Sequence, residues 1–434
     1  MRPVRTLPAP VRPPSRRRTA LQVLAVVATA AAASLLMLHN LNPSWHHWFD
    51  LAVYRGGVHW WLEGRPLYSF HVPHSRYGFT YPPFAAVVMT PLAAVPEEVA
   101  GVLVTLAGSV IVIAGTWGLV APLARRAGWT PWFAVGVAVP VVFLMEPVRE
   151  TLGFGQVNLF IAALVVADVI GVRRGRRWAG LGTGLAAAVK LTPAVFVLYL
   201  LLTRRWRPAA VAAGTFLAAT GLAFTLAPGA SLRFWGSAVW QVSRVGSLEN
   251  PNSHSLLAAL ARLAHPAAPS RPVWLLLAGG VLVLGMWRAV QASRRGDELV
   301  GITLTGLTGC LVSPISWGHH LVWVVPATVV LVDVAAGARL HEAVPPFLRT
   351  HGRAAARAAG AGALVTVAVF CSSLAWYFKP PVRGAPPRDD LLGLLGQDTY
   401  VLLLLALVVL LPIRAPAVEP VAPLRPPARA LTAD

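Results

Sequence analysis

Lysine is almost absent from this 434-residue chain: of its 37 basic residues only Lys190 and Lys379 are lysines, and arginine supplies the rest. Charge of either sign is scarce, with Asp, Glu, Lys and Arg together at 12% and only 17 acids. A soluble chain of this length would form two or three domains under a solvated, charged surface, and this composition excludes that. Cysteine is rarer still. Cys310 and Cys371 both lie in apolar runs, with no CxxC and no metal-ligand spacing, and read as small buried hydrophobes.

What fills the chain instead is apolar. Hydrophobic residues make up 56%, mean hydropathy is +0.62, and long apolar runs recur from end to end. A membrane crossing needs roughly 20 apolar residues, so the chain reads as an all-α polytopic membrane protein. Its formal charge of +20 invites a nucleic-acid reading, which the pattern rejects. The arginines gather between apolar runs, in "SRRR" (15–18), "ARR" (124–126), "RRGRR" (173–177), "RRWR" (204–207) and "SRRG" (293–296). That is the signature of cytoplasmic loops under the positive-inside rule. A nucleic-acid binder would show one contiguous basic face.

With these clusters placed inside, the rest of the chain can be sorted. A Pro- and Arg-rich tail (1–18) leads into an uncleaved first helix near 20–38, which has no convincing cleavage site. A membrane domain over 19–413 follows, and a second tail covers 414–434, both termini being cytoplasmic. Outside fall a polar stretch from Asn40 to Tyr81, the loop "EPVRETLGFGQVN" (146–158), a long loop over 228–272, and "SPISWGHH" (313–320). Helices are expected near 131–147, 156–172, 208–227, 273–292, 298–312, 321–336, 357–376 and 392–413. Two segments resist a fixed count. Residues 179–203 fit two short helices or a re-entrant hairpin with "VKLTP" (189–193) at its tip, and one of two runs in 83–122 only dips into the membrane. The expectation is ten to thirteen membrane helices with the chemistry on the outer face, where the unusual polar residues collect.

Asp50 is the only acid before Glu63 and sits among aromatics in "HHWFDLAVYRGG", with Tyr54 one helical turn on. A lone carboxylate at an apolar boundary tends to keep a proton, which suits a general base, although a helix-capping Asp would look the same. Lys190 in an apolar hairpin is either a phosphate-binding cation or a snorkelling side chain. "EPVRETLGFGQVN" packs Glu146, Arg149, Glu150, Gln156 and Asn158 into thirteen residues, tools for sugar hydroxyls and phosphate oxygens or simply an outer loop. In "FTYPPF" the two prolines start a helix and Tyr81 can face a site. His319 and His320 have no third metal ligand at helical spacing. Phosphate contact fits the pair better than metal, with backbone-bonded interfacial histidines as the alternative.

Taken together, "FDLAVY", "FTYPPF", "EPVRETLGFGQVN", "AVKLTP" and "SPISWGHHLVW", in this order over about residues 40–335, resemble glycosyltransferase family 87. Its members are polyprenyl-phosphate-mannose-dependent α-mannosyltransferases of actinobacteria, with relatives that transfer arabinofuranose. The resemblance implies a GT-C fold with an outer-face site, and a catalytic role for Asp50. It implies α-(1→2) mannosyl transfer, inverting, to a lipid-anchored mannan of lipomannan or lipoarabinomannan type. Lys190, Arg149, His319 and His320 would hold the donor phosphate. Tyr54, Tyr81, Glu150, Gln156, Asn158, Asn252 and His254 would hold sugar or acceptor. One departure stands in "NPNSHSL" (250–256), where His254 replaces the Gln of the family's Asn-Gln-Ser motif. No cofactor, metal or nucleotide sugar is expected, since no cytoplasmic loop is large enough for a nucleotide-binding domain. The partners would be the lipid-linked donor, the acceptor and membrane lipids, with no nucleic acid. Rival readings are an arabinofuranosyltransferase on the same frame and a lipid-linked sugar transporter or flippase. Against the last, the chain has no internal repeat.

Overall fold

The computed structural model describes residues 16–44, 46–340, 352–378 and 389–415. Most of the two expected tails, and Lys379, lie outside the described residues. Within them the architecture is all-α: helices joined by short links, with three isolated bridges and no strand.

Among the described residues six helices are long and apolar enough to cross a bilayer: Arg16–Met37, Glu97–Arg126, Trp206–Leu226, Arg271–Arg294, Gly318–Ala335 and Arg353–Cys371. In five of these only 6–33% of the most apolar window is buried by protein, so large side chains such as Leu103, Leu106, Val110 and Leu276 face outward. Such a surface is stable only in contact with lipid. Gly318–Ala335 differs, at 72% buried, and forms the centre of the largest apolar core with Val300, Leu304, Leu307 and Val330.

Among the described residues the ten to thirteen helices expected from the apolar runs resolve into these six, two bent pairs, the helix Asn158–Arg173 and three shorter apolar helices, Pro83–Ala93, Thr192–Leu202 and Glu298–Val312. The breaks have local causes. Pro96 separates Pro83–Ala93 from Glu97–Arg126. Pro147 lacks the N–H that would continue the helix Pro131–Leu144, and the chain turns by 63° into Glu146–Phe154. Here the structure corrects the reading of 146–158 as an outer loop. Residues 146–153 form a fully buried helical stretch, because their polar groups find partners inside the protein.

The hairpin over 179–203 is two short helices, Leu181–Val189 and Thr192–Leu202, with Lys190 extended between them at φ −148°, ψ 129°. Asp168 starts the first by accepting from the N–H groups of Gly182 (3.1 Å) and Thr183 (2.6 Å), a carboxylate at a helix N-terminus. This hairpin and Glu298–Val312 set the polarity of the molecule. At the Asp297 end, Arg414 pairs with Asp297 and Asp333, Arg126 with Asp333, and Arg205 with Glu298. At the other end of the same helix, about 22 Å away at 1.5 Å per residue, Ser313 lines a cavity that Lys190 also reaches.

Candidate active site

The cavity encloses about 580 Å³. Its walls come from the helix Phe49–Leu62, the segment 77–82, the helix Glu146–Phe154, the Lys190 turn, residues 234–245 and the segment 313–320. These elements are scattered over 270 positions of sequence. Helix packing alone brings them together.

Asp50 stands in the first turn of its helix, half-buried at the cavity wall. Its Oδ2 accepts a 2.6 Å hydrogen bond from Gln156 Nε2. The Gln156 carbonyl oxygen accepts from Tyr81 Oη (3.2 Å) and from the N–H of Val157 (3.2 Å), and Tyr54 Oη donates to Tyr81 Oη at 2.9 Å. The chain of donors thus runs Tyr54, Tyr81, Gln156, Asp50. Gly155 makes this approach possible. It is left-handed (φ 67°), and a Cβ on it would lie 2.8 Å from Leu51 Cβ, beside Asp50. Enclosure pushes the Asp50 carboxyl up to about 6; the Gln156 hydrogen bond and the nearby Lys190 and His46 hold it back from rising further.

On one side of Asp50 the cavity is basic. Lys190 Nζ donates to Asn158 Oδ1 at 2.9 Å, lies 2.8 Å from His320 Nε2, and sits 5.3 Å from the centre of the Tyr81 ring. His320 Nδ1 accepts from the backbone N–H of Trp317 at 3.2 Å. Arg244 lines the same cavity; it is anchored by a 3.2 Å hydrogen bond to the Phe79 carbonyl and lies over the Tyr68 ring. Phe234, Val239, Val242 and Val245 add an apolar wall beside it.

On the other side the cavity is acidic. Glu150 Oε1 is 3.1 Å from His46 Nε2, and the His46 ring stacks on Phe154 at 3.6 Å. One turn earlier, Glu146 accepts from Trp376 Nε1 at 2.8 Å and from Tyr400 Oη. The His319 ring meets Phe154 edge-on at 5.5 Å, and its main-chain carbonyl accepts from Asn158 Nδ2 and Thr151 Oγ1. Among the described residues no three His, Cys, Asp or Glu gather closely enough to hold a metal ion.

The sequence-predicted residues therefore divide. Asp50, Tyr54, Tyr81, Glu150, Gln156, Lys190, Asn252, His319 and His320 line the cavity. Asn158 stands behind Lys190 and holds it. His254 does not line the cavity: it is buried, with its ring 4.6 Å from that of Tyr400. Arg149 is likewise set apart, its guanidinium buried and donating to the Leu144 carbonyl and Ser373 Oγ. It leaves the flank of its helix, about 100° round from Glu150, and its side chain turns to Leu144 and Ser373 instead of the cavity. We expect Arg149→Ala to act on stability, lowering it by about 1–3 kcal/mol through the orphaned partners. Thermal unfolding in detergent would read this; a loss of turnover as large as that of Asp50→Asn in a well-folded sample would refute it. Two basic residues of the cavity lining escaped the sequence reading. Arg244 sits in a long loop among several arginines, and His46 belongs to a double-histidine pattern whose partner, Glu150, is 104 positions away.

The model of glycosyltransferase family 87 matches residues 79–314, a span that begins after Asp50 and ends before the histidine pair. The chain is 36% identical over 299 residues to a polyprenol-phosphate-mannose-dependent alpha-(1-2)-phosphatidylinositol mannoside mannosyltransferase of Mycobacterium tuberculosis. That alignment covers 65% of this chain and 69% of the relative. It is 34% identical over 338 residues to a polyprenol-phosphate-mannose-dependent alpha-(1-2)-phosphatidylinositol pentamannoside mannosyltransferase of Mycolicibacterium smegmatis, covering 74% and 78%. No solved structure matches the chain.

Proposed function

The chain belongs to glycosyltransferase family 87, and from that premise we propose that it transfers mannose from polyprenyl-phosphate-mannose to a lipid-anchored mannoside, forming an α-(1→2) linkage with inversion. The names of its relatives favour a phosphatidylinositol mannoside acceptor over the mature lipomannan or lipoarabinomannan. The observation that carries the reading is the position of Asp50, held by a neutral amide between the basic and acidic parts of one cavity.

In this mechanism the acceptor hydroxyl donates to Asp50 and its oxygen attacks the anomeric carbon from the face opposite phosphate. The bond from that carbon to the phosphate oxygen breaks, and polyprenyl phosphate leaves with the electron pair. Asp50 takes the hydroxyl proton. Charge growing on the leaving phosphate falls where Lys190, held between Asn158 and His320, and Arg244 are pre-positioned. The apolar wall of residues 234–245 suits the first isoprene units. We place this end of the molecule on the outer face, because the arginine clusters mark the opposite ends of the same helices as cytoplasmic.

The test is transfer by the purified protein in lipid nanodiscs, supplied with polyprenyl-phosphate-mannose and a phosphatidylinositol mannoside. An α-(1→2)-linked product supports the proposal. Product formed only from a polyprenyl-phosphate-arabinofuranose would assign the arabinofuranosyl reading, and sugar translocation without any glycan product would assign a transporter. The pH profile is a second check. A base whose carboxyl titrates at about 6 is protonated, and inactive, below that pH. We expect kcat/KM to fall about tenfold per pH unit below 6. An acid limb centred near 4 would mean that the carboxyl in use is not the enclosed Asp50.

A further inference from the structure

The acidic part of the cavity has no role in donor binding or in proton transfer, yet it is built. Glu146 is 1% exposed and Glu150 7%, and each is gripped by donors from distant elements: Trp376 and Tyr400 for the first, His46 for the second. Gly318 lets the main chain bearing the histidines lie against the first carboxylate; a Cβ there would stand 3.0 Å from Glu146 Oε1. His319 Nε2 is buried and has no hydrogen-bond partner among the described residues, although His319 lines the cavity. An unpartnered imidazole nitrogen in a buried site costs free energy unless a ligand or water satisfies it.

The two adjacent histidines are therefore differently employed. His320 has both ring nitrogens engaged, by Trp317 and Lys190. His319 has one ring nitrogen with no hydrogen-bond partner among the described residues and packs on Phe154, the same ring that carries His46. A phosphate placed here would meet Glu146, Glu150 and Asp50, all of its own sign. A metal cation would find no three-ligand cluster among the described residues. A sugar ring fits: its hydroxyls both donate and accept, matching carboxylates alongside an imidazole, and its C–H faces suit the flat surfaces of Phe154, His46 and Trp317.

We propose that His46, Glu146, Glu150 and His319 form a hydroxyl-binding subsite that holds the mannosyl ring of the acceptor, with its reactive oxygen turned to Asp50. The inference rests on the mannosyl-transfer reading and assigns His319 to the acceptor rather than to the donor phosphate expected from the sequence.

The test uses octyl α-D-mannopyranoside as the probe, with the full chain in nanodiscs. Direct binding is followed without donor by tryptophan fluorescence, and initial rates are followed with polyprenyl-phosphate-mannose. Glu150→Gln and His319→Phe should each weaken probe binding and raise the acceptor KM by about tenfold or more, with the donor KM changing less than threefold. His46→Phe keeps the ring stack but removes the bond to Glu150, so it serves if the other variants fold poorly; it should shift the same parameters. Unchanged probe affinity in folded variants, or a rise confined to the donor KM, would overturn the subsite. Failure of the wild-type chain to bind the probe at all would do the same. Probe binding that is lost in the variants while no lipid-linked mannose is ever transferred would leave the subsite standing and remove the transferase reading instead.

Discussion

Asp50→Asn is expected to lower kcat for mannosyl transfer by about 10³-fold, within the range general-base catalysis supplies, while the protein folds and binds donor as before. The replacement is close to isosteric, and the amide oxygen of Asn still accepts the hydrogen bond that Gln156 now gives to Asp50 Oδ2. The Tyr54–Tyr81–Gln156 chain therefore keeps its anchor. What disappears is the ability to take a proton. Two other carboxylates share the cavity, so substitution by one of them is the serious alternative. Their partners argue against it: Glu146 is tied to Tyr400 and Trp376, and Glu150 to His46. Glu146 has a donor on each oxygen and Glu150 Oε1 is taken by the His46 imidazole, whereas Asp50 has a single neutral amide partner. Asp50→Glu should lose about 10²-fold, because the longer side chain moves the carboxylate by more than 1 Å. Single-turnover rates at pH 7.5, with donor saturating, give the comparison. Rates within tenfold of wild type for Asp50→Asn would pass the base role to Glu150.

Parts of this site are legible in the sequence for a compositional reason. In a chain that avoids lysine and acids, a buried Lys190 or an isolated Asp50 stands out, since ionisable groups at membrane depth are too costly to persist without use. The span Glu298–Val312 was bounded by Asp297, which caps it, and by Pro314 beyond its end, so its limits coincide with those expected. The helix Glu146–Phe154 was misread because polarity in a membrane chain suggests a solvated loop. Its polar groups are instead satisfied by residues 46, 373, 376 and 400, none of them recoverable from local pattern. Arg149 shows the same limit. Residue type proposed a phosphate ligand, and only the helix's rotation shows that Glu146 and Glu150 take the cavity side. The bond between Asp50 and Gln156 spans 106 positions, so the sequence supplies its members without their pairing.

Lys190→Met carries the second large effect: a loss of about 10²- to 10³-fold in kcat/KM for the lipid donor, the size found when one pre-positioned donor to a developing anion is removed. Lys190 donates to the neutral Asn158 Oδ1 and lies 2.8 Å from His320 Nε2, and is absent from the ion pairs among the described residues. Its nitrogen is directed to a cavity that Asp50 also lines, and the two groups interact electrostatically across it. The extended conformation at the hairpin tip is what carries the ammonium from an apolar element to that cavity. Methionine matches the length and apolar stem, so the loss of stability should stay within about 1–3 kcal/mol, the cost of orphaning Asn158 Oδ1. Arginine is not a rescue, because a planar fork cannot occupy the point between Asn158 and His320. The split between substrates decides the interpretation. Donor kcat/KM should fall most for donors whose phosphate leaves slowly, with acceptor KM near its wild-type value. A Lys190→Met enzyme that handles donor normally but loses acceptor affinity would exchange the two ends of the cavity, and with them the direction in which the sugar is passed to the hydroxyl at Asp50.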